Sequence, residues 1–184
     1  MKKVALMLAE GFEEGEALTI VDIMRRASIE CNTFSINDLM VKGAHNIKVQ
    51  ADYLINDNIK EYDMIVLPGG MPGATNLRDN EQVISLIKDM NEKNKFVCAM
   101  CAAPIVLDKA GVLENKSFTA YIGYNEKIKA KGTFKEDIVV RDGNLITSRG
   151  PATVYDFSYA LVDALGVDSE PIKKRMLYNL VMGK

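Results

Sequence analysis

Apolar residues along the chain follow two periods, one typical of strands and one typical of helices. Short, nearly continuous apolar runs indicate strands covered on both faces, and the apolar spacing of Ala17, Ile20, Val21 and Met24 indicates an amphipathic helix. The predicted strands cover residues 4–9, 32–36, 45–51, 62–70 (YDMIVLPGG, ending in a turn), 96–100, 117–119, 138–141 and 144–147. The predicted helices cover residues 14–27, 81–94, 102–110, 125–130, 151–165 and 169–182.

Turn signals separate these elements. Lys42-Gly43 and Asp142-Gly143 predict hairpin turns, and Gly111 and Gly166 are expected to end helices. Strands and helices alternate along the chain, with no repeat, linker or low-complexity tract. The sequence therefore predicts a single α/β domain over residues 1–184, a sandwich built around a mostly parallel sheet.

The composition argues against several classes of binding partner and cellular location. A net charge of −2 and a pI near 5.5 leave no broad basic surface, so nucleic acid is not an expected partner. The opening MKKVALMLAE has too short an apolar stretch for a signal peptide, and no run reaches the roughly 20 residues that span a membrane. Three cysteines, an odd number, do not suggest a disulfide framework. We expect a cytoplasmic protein without membrane contact.

Candidate chemistry gathers where three predicted strands end. AEGFEEGE follows the first strand, LPGGMPG the fourth and AMCAAP the fifth. Ligands of parallel α/β sheets bind outside the carboxyl ends of the strands. The three segments are therefore expected to meet at one edge of the sheet.

Two cysteines three residues apart, Cys98 and Cys101, could be a redox pair, a metal half-site or one reactive thiol beside a bystander. Three extended residues span about 10 Å, whereas a disulfide needs Cα atoms within about 7 Å. Zinc is not expected, because there is no second cysteine pair and the single histidine, His45, lacks an acidic or sulfur partner at zinc-site spacing. Cys98 and Cys31 are interpreted as buried small hydrophobes.

Cys101 lies in a strand-to-helix turn flanked by alanines, the arrangement that presents a nucleophile at the top of a sheet. Free N–H groups at the helix start would favour its thiolate, and Pro104 suits the first helical turn. The alternative is a cysteine that merely packs.

Glycines and glutamates supply the remaining candidate groups. The glycines of LPGGMPG either direct N–H groups at an oxyanion or only form a tight turn, and they match no phosphate-binding pattern. Of Glu13, Glu14 and Glu16, two are expected to be solvated acids at a helix start. One could face inward and, if buried, would have a raised pKa. Spacing does not say which.

Four segments together resemble the ThiJ/PfpI superfamily, and within it the branch of the Parkinsonism-associated deglycase and its bacterial homologues. They are AEGFEEGEALTIVDIMRRASI, YDMIVLPGGMPGATNLRD, FVCAMCAAPIVLDKAGVL and LITSRGPATVYDFSYALVDAL. The resemblance implies a flavodoxin-like three-layer sandwich and a homodimer. It also implies that Cys101 is the nucleophile, that Glu16 meets its thiol, and that the N–H groups of Gly70 and Ala102 form an oxyanion hole.

One position departs from the family pattern. Many relatives carry a histidine beside the cysteine, but Tyr121 occupies that place here, and His45 falls outside the motif. The SRGPAT segment, which contains Arg149 and Pro151, is implied to line the site together with Tyr121. Without a cysteine–histidine pair, the peptidase and amidotransferase activities of the superfamily are less favoured.

Two functions are expected from this thiol chemistry. The first is a cysteine-dependent, cofactor-independent and metal-free enzyme on 2-oxoaldehydes such as methylglyoxal, or on glycated substrates. The second is a sensor of oxidative stress, or a chaperone, that acts through oxidation of Cys101. A third reading is an inert member of the fold that serves only as a dimeric partner.

Overall fold

The computed structural model describes residues 2–183 and contains a seven-stranded sheet with the strand order β10-β11-β7-β6-β1-β2-β5. The strands are β1 Lys3–Leu8, β2 Glu30–Ser35, β3 Met40–Lys42, β4 Lys48–Gln50, β5 Tyr53–Leu54, β6 Met64–Leu67, β7 Phe96–Met100, β8 Ser117–Phe118, β9 Thr133–Phe134, β10 Val139–Asp142 and β11 Leu145–Ser148. All neighbours in the large sheet run parallel except β10 and β11, which form the predicted antiparallel hairpin. Two small sheets pair β3 with β4 and β8 with β9.

Helices cover both faces of the large sheet. They are α1 Glu14–Arg26, α2 Gly73–Asp79, α3 Glu81–Glu92, α4 Pro104–Lys109, α5 Val154–Ala164, α6 Glu170–Arg175 and α7 Tyr178–Val181. Alternate residues of the buried strands divide between two apolar clusters, one packed under α2, α3 and α4 and the other under α1, α5 and α6. The fold is a flavodoxin-like α/β sandwich, and the predicted fold class is confirmed.

Most strand positions agree with the apolar runs that predicted them, because central parallel strands are buried on both faces. In β1, β6 and β7 every residue is buried except the first of β1 and of β7. On α1, Ala17, Ile20 and Met24 are buried as predicted, whereas Val21 is only partly covered.

Several short elements differ from the prediction. The segment predicted as a strand over 45–51 forms only β4, and residues 43–47 make the hairpin loop between β3 and β4. Helix α2, which begins at the last glycine of LPGGMPG, was not predicted. Residues 125–130 contain only a 3-10 turn at Asn125–Lys127, because the N–H groups of Lys129 and Ala130 donate to the Asp108 carboxylate.

The predicted C-terminal helix over 169–182 is broken into α6 and α7. Leu177 lies between them with a left-handed backbone, φ 58°. The Tyr178 ring packs against Tyr159 of α5 at 4.9 Å, and its hydroxyl donates to Asp156. Docking of the chain end on α5 therefore accounts for the break. Within residues 2–183, no helix has the length and apolar content needed to cross a membrane.

Candidate active site at the end of strand β7

The turn between β7 and α4 holds Cys101 in an unusual backbone conformation. Its φ is 58°, a left-handed value that is uncommon for a residue with a side chain and that marks many functional sites. Its N–H donates to the Ser148 carbonyl at 3.0 Å, and its carbonyl accepts the Tyr121 N–H at 2.9 Å. Neighbouring segments on both sides therefore fix the strand-to-helix turn that the sequence predicts at Cys101, which we call the elbow.

Glu16 faces the same turn from α1. Its side chain is fully buried, and its Oε2 accepts the Gly69 N–H at 2.7 Å. Within the described part of the chain, Oε1 has no hydrogen-bond partner. Burial raises the pKa of Glu16 to about 7, while the Gly69 N–H and the Cys101 thiol pull in the opposite direction. The carboxyl is thus poised to gain or lose a proton near neutral pH.

Gly69 shows how closely the thiol and the carboxyl approach one another. A Cβ atom added there would lie 2.6 Å from Cys101 Cβ, 3.0 Å from Sγ and 2.9 Å from Glu16 Oε2. Gly70 follows with φ 87°, and its own added Cβ would lie 2.3 Å from the Glu13 nitrogen. Both glycines are therefore required for close approach at this point and are more than a turn signal.

The ionisation of Cys101 differs from the expectation that the helix start favours its thiolate. Burial and the Glu16 carboxylate raise the pKa of the thiol to about 12, whereas the N–H groups of Ala102 and Gly70 lower it. The helix start does favour the thiolate as predicted, but burial and Glu16 outweigh it, and α4 begins only at Pro104. Because each group shifts the pKa of the other, the pair titrates as a unit.

The other two cysteines are buried and free, as predicted. Cys98 is fully buried in the apolar cluster under α1 and α5, and burial raises its pKa. Burial also raises the pKa of Cys31 to about 12. Cys101 is the only cysteine with partial exposure.

Of the residues expected to line the site, only some lie beside Cys101. Tyr121 is joined to Cys101 through its backbone, and its ring would lie 3.3 Å from a Cβ added at Gly150. Arg149 is directed elsewhere, since its guanidinium donates to the Glu136 carbonyl. Pro151 begins an exposed 3-10 turn, Pro151–Thr153. The structure therefore brings Tyr121 to the elbow but gives Arg149 another partner.

The expectation of two solvated glutamates is wrong for Glu14. Only 4% of this residue is exposed, because the hairpin loop covers it. Its Oε1 accepts the N–H groups of His45 and Ile47, and its Oε2 lies 3.0 Å from His45 Nδ1. His45 therefore has acidic partners after all, which the folded hairpin supplies and the linear spacing did not show.

Two backbone roles were not predicted, those of Gly69 and Ser148, although both residues lie in segments that the sequence analysis placed at the site. Gly69 is the first glycine of Pro-Gly-Gly, and its N–H holds Glu16. Ser148 ends β11, the parallel neighbour of β7, and its carbonyl holds the Cys101 N–H. Adjacency of the two strand ends could have pointed to Ser148, had the strand order been known.

Comparison with known proteins gives a consistent result. The model of the DJ-1/PfpI family matches residues 2–164. Protein DJ-1 homolog B of Arabidopsis thaliana is 36% identical over 167 residues, which are 89% of this chain but 38% of that protein. Protein dj-1beta of Drosophila melanogaster is 34% identical over 167 residues, 89% of each chain. Deglycase TK1284 of Thermococcus kodakarensis is 30% identical over 165 residues, covering 89% of this chain and 99% of the relative.

Solved structures agree with these matches. The crystal structure of Drosophila melanogaster DJ-1beta has a TM-score of 0.91 and 32% identity, and the match covers 96% of this chain and 97% of that one. Oxidized Toxoplasma gondii DJ-1 also has a TM-score of 0.91, with 31% identity over 96% of this chain and 98% of its own.

Proposed function

The chain belongs to the DJ-1/PfpI family, and from that premise we propose that it is a cysteine-dependent enzyme that converts 2-oxoaldehydes to 2-hydroxy acids without a cofactor. Methylglyoxal is the simplest substrate of this class. Amines or thiols that carry such an aldehyde, that is, glycated substrates, are the second kind of substrate. A named deglycase among the relatives supports the enzyme class.

The proposed reaction begins with the Cys101 sulfur. As the sulfur adds to the aldehyde carbon of the substrate, the thiol proton passes to the Glu16 carboxylate, and the new oxyanion accepts hydrogen bonds from the N–H groups of Gly70 and Ala102. Glu16 then gives this proton to the oxyanion, which leaves a hemithioacetal at that carbon and a free carboxylate. Glu16 removes the proton from that carbon, and the electron pair forms an enediol. A proton then returns to the neighbouring carbon and leaves a 2-hydroxyacyl thioester. Water cleaves the thioester, so that the first carbon is oxidised, the second is reduced, and the thiol is regenerated.

The buried Glu16 carboxyl is the observation that carries this proposal. A pKa of about 7 lets it exist in both protonation states at neutral pH, which a proton-transfer group requires. It lies against Gly69 on the same side as the Cys101 sulfur. A carboxyl buried beside a nucleophile, with one oxygen unpartnered, is costly for stability and suited to proton transfer.

Lactate formation from methylglyoxal, without glutathione, tests this proposal. Wild-type protein is expected to form lactate, Cys101→Ser to form none, and Glu16→Gln to lose about 10²–10⁴-fold in turnover. Glu10→Gln is the matched control, because it removes one exposed carboxylate from the same segment. Full activity in Cys101→Ser or Glu16→Gln would overturn the mechanism.

Oxidation sensing is the second candidate function, because Cys101 is the one partly exposed thiol of three. The relative solved in an oxidized form supports this candidate. Mild peroxide is expected to add two oxygens at Cys101 and none at Cys31 or Cys98, as read by peptide mass spectrometry. Equal oxidation of all three thiols would exclude a specific sensor.

Peptidase and amidotransferase activities are not proposed. The single histidine of the chain, His45, is engaged with Glu14 and is not a partner of Cys101. The homodimer and the cytoplasmic location stay predictions.

A further inference from the structure

Glu13, Glu14 and His45 form a cluster of metal-ligating atoms outside the Cys101 site. One carboxylate oxygen of each glutamate and one imidazole nitrogen all lie within 4.8 Å of one another. His45 Nδ1 is 3.0 Å from Glu14 Oε2 and 3.7 Å from Glu13 Oε1. We call this set the Glu–Glu–His cluster.

Two separate elements hold the cluster in place. The hairpin loop closes with a Gly43 N–H to Ile47 carbonyl bond of 2.9 Å, and the Ala44 N–H donates to the Phe12 carbonyl at 2.8 Å. Gly43 leaves room for Glu14, since a Cβ there would lie 2.2 Å from the carboxyl carbon. The loop is thus anchored to the backbone of Phe12, and it brings the His45 imidazole to the start of α1.

Backbone hydrogen bonds orient the Glu14 carboxylate and fix the main chain of Glu13. Glu14 Oε1 accepts the N–H groups of His45 and Ile47, and within the described residues Oε2 has only the imidazole as a partner. Glu13 precedes α1, and its N–H donates to the Gly69 carbonyl at 2.9 Å. Ligating carboxylates in metal sites are held by hydrogen bonds like those that Glu14 Oε1 accepts.

We propose that the Glu–Glu–His cluster binds one divalent transition-metal ion, with Zn²⁺ as the best match. Adjacent ligand atoms of a tetrahedral zinc site, with bonds of about 2.0–2.1 Å, lie about 3.3 Å apart, and the two distances from Nδ1 bracket that value. One nitrogen and two carboxylate ligands leave a fourth position for water. This proposal departs from the expectation, drawn from the sequence, that the protein holds no metal.

The proposal does not depend on the chemistry of Cys101. To exclude the thiol as a competing ligand, all measurements use Cys101→Ser protein. Zn²⁺ is titrated against a chelator of known affinity, and one equivalent is expected to bind. His45→Ala and Glu13→Gln are each expected to weaken binding by at least about tenfold, since even supporting groups of metal sites contribute that much.

Glu10→Gln is the matched control for charge. Glu10 lies on the same segment and pairs with Lys42 at 3.4 Å, outside the cluster. Its removal is expected to leave Zn²⁺ affinity within twofold of the parent. An equal loss of affinity in Glu10→Gln and Glu13→Gln would mean that diffuse negative charge binds the ion, and would overturn the proposal.

The chain has one histidine, so the imidazole signals in a ¹H–¹⁵N spectrum belong to His45 without assignment. Adding one equivalent of ZnCl₂ is expected to shift its Nδ1 resonance, whereas MgCl₂ leaves it unchanged. Zn²⁺ binding with an unshifted imidazole, or no binding once Cys101 is replaced, would overturn the proposal. Because lactate formation is not measured, failure here is distinct from failure of the proposed enzyme.

Discussion

Glu14 and Glu16 are two residues apart on α1, and both are nearly or fully buried, yet their pKa values move in opposite directions. Burial raises the pKa of Glu16 to about 7. Burial acts the same way on Glu14, but hydrogen bonds from its own N–H, from His45 and from Ile47 outweigh it and lower the pKa. Residues two apart on a helix are about 200° apart around its axis, so the two carboxyls face different surroundings.

The depth of burial and the number of donors together account for the opposite shifts of the two pKa values. Glu14 lies just beneath the surface under the hairpin loop and accepts several N–H groups. Glu16 lies deep beside a thiol and accepts one N–H. One glutamate is thereby kept ionised, which suits a cation, and the other is kept near its titration point, which suits proton transfer.

Gly69→Ala is expected to have the largest effect on the Glu16 side of this comparison. The added methyl would lie 2.6 Å from Cys101 Cβ and 2.9 Å from Glu16 Oε2, so the thiol and the carboxyl cannot both keep their positions. A displacement of about 1 Å in an active site costs about 10²-fold in turnover. Overpacking is also expected to lower the free energy of unfolding by about 1–3 kcal/mol.

Gly15→Ala is the matched control, because Gly15 lies between the two glutamates and its added methyl meets only Glu13 Oε1, at 3.8 Å. Lactate formation is expected to be unchanged, and unfolding in urea to require up to about 1 kcal/mol more. Equal turnover in the two alanine variants would mean that Gly69 does not govern the position of the thiol.

The pH dependence of stability should have opposite signs for the two glutamates. Glu16 has a raised pKa, so its contribution to the free energy of unfolding is fully present below about pH 4.5. About 3 kcal/mol of that contribution is lost as the pH rises through 7. Glu16→Gln should remove that loss and gain stability relative to wild type between pH 5 and 8.5. Glu14 has a lowered pKa, so its contribution is present at neutral pH and fades in acid. Glu14→Gln should therefore be destabilising at pH 7, and less so as the pH falls below about 4.5.

Urea unfolding of the wild type and both variants across this range measures the two profiles. Parallel profiles for Glu14→Gln and Glu16→Gln would show that the two carboxyls share one environment, contrary to the geometry.

Much of the fold could be predicted because its central strands are buried on both faces. β6 and β7 are continuous apolar runs, and the Asp142-Gly143 turn gives the β10–β11 hairpin directly. Two-residue strands such as β5 and β9 are too short to show a period. The break at Leu177 depends on contacts with α5, which no local pattern contains.

The site was only partly accessible from the sequence. The strand-to-helix turn indicated Cys101 from its own neighbours. Glu16 was identified through family resemblance, since spacing did not distinguish it from Glu13 and Glu14. The pairing of Glu14 with His45 depends on a hairpin loop folded over α1, and is therefore visible only in three dimensions.

Carboxyl ¹³C titration by NMR tests most directly the claim that Glu16 exchanges its proton near neutral pH while Glu14 stays ionised. The Glu16 carboxyl carbon, assigned by its loss in Glu16→Gln, is expected to titrate with a midpoint near pH 7, and Glu14 below pH 4.5. A Glu16 midpoint at or below 4.5 would contradict this account and remove the proton-transfer role from the proposed mechanism.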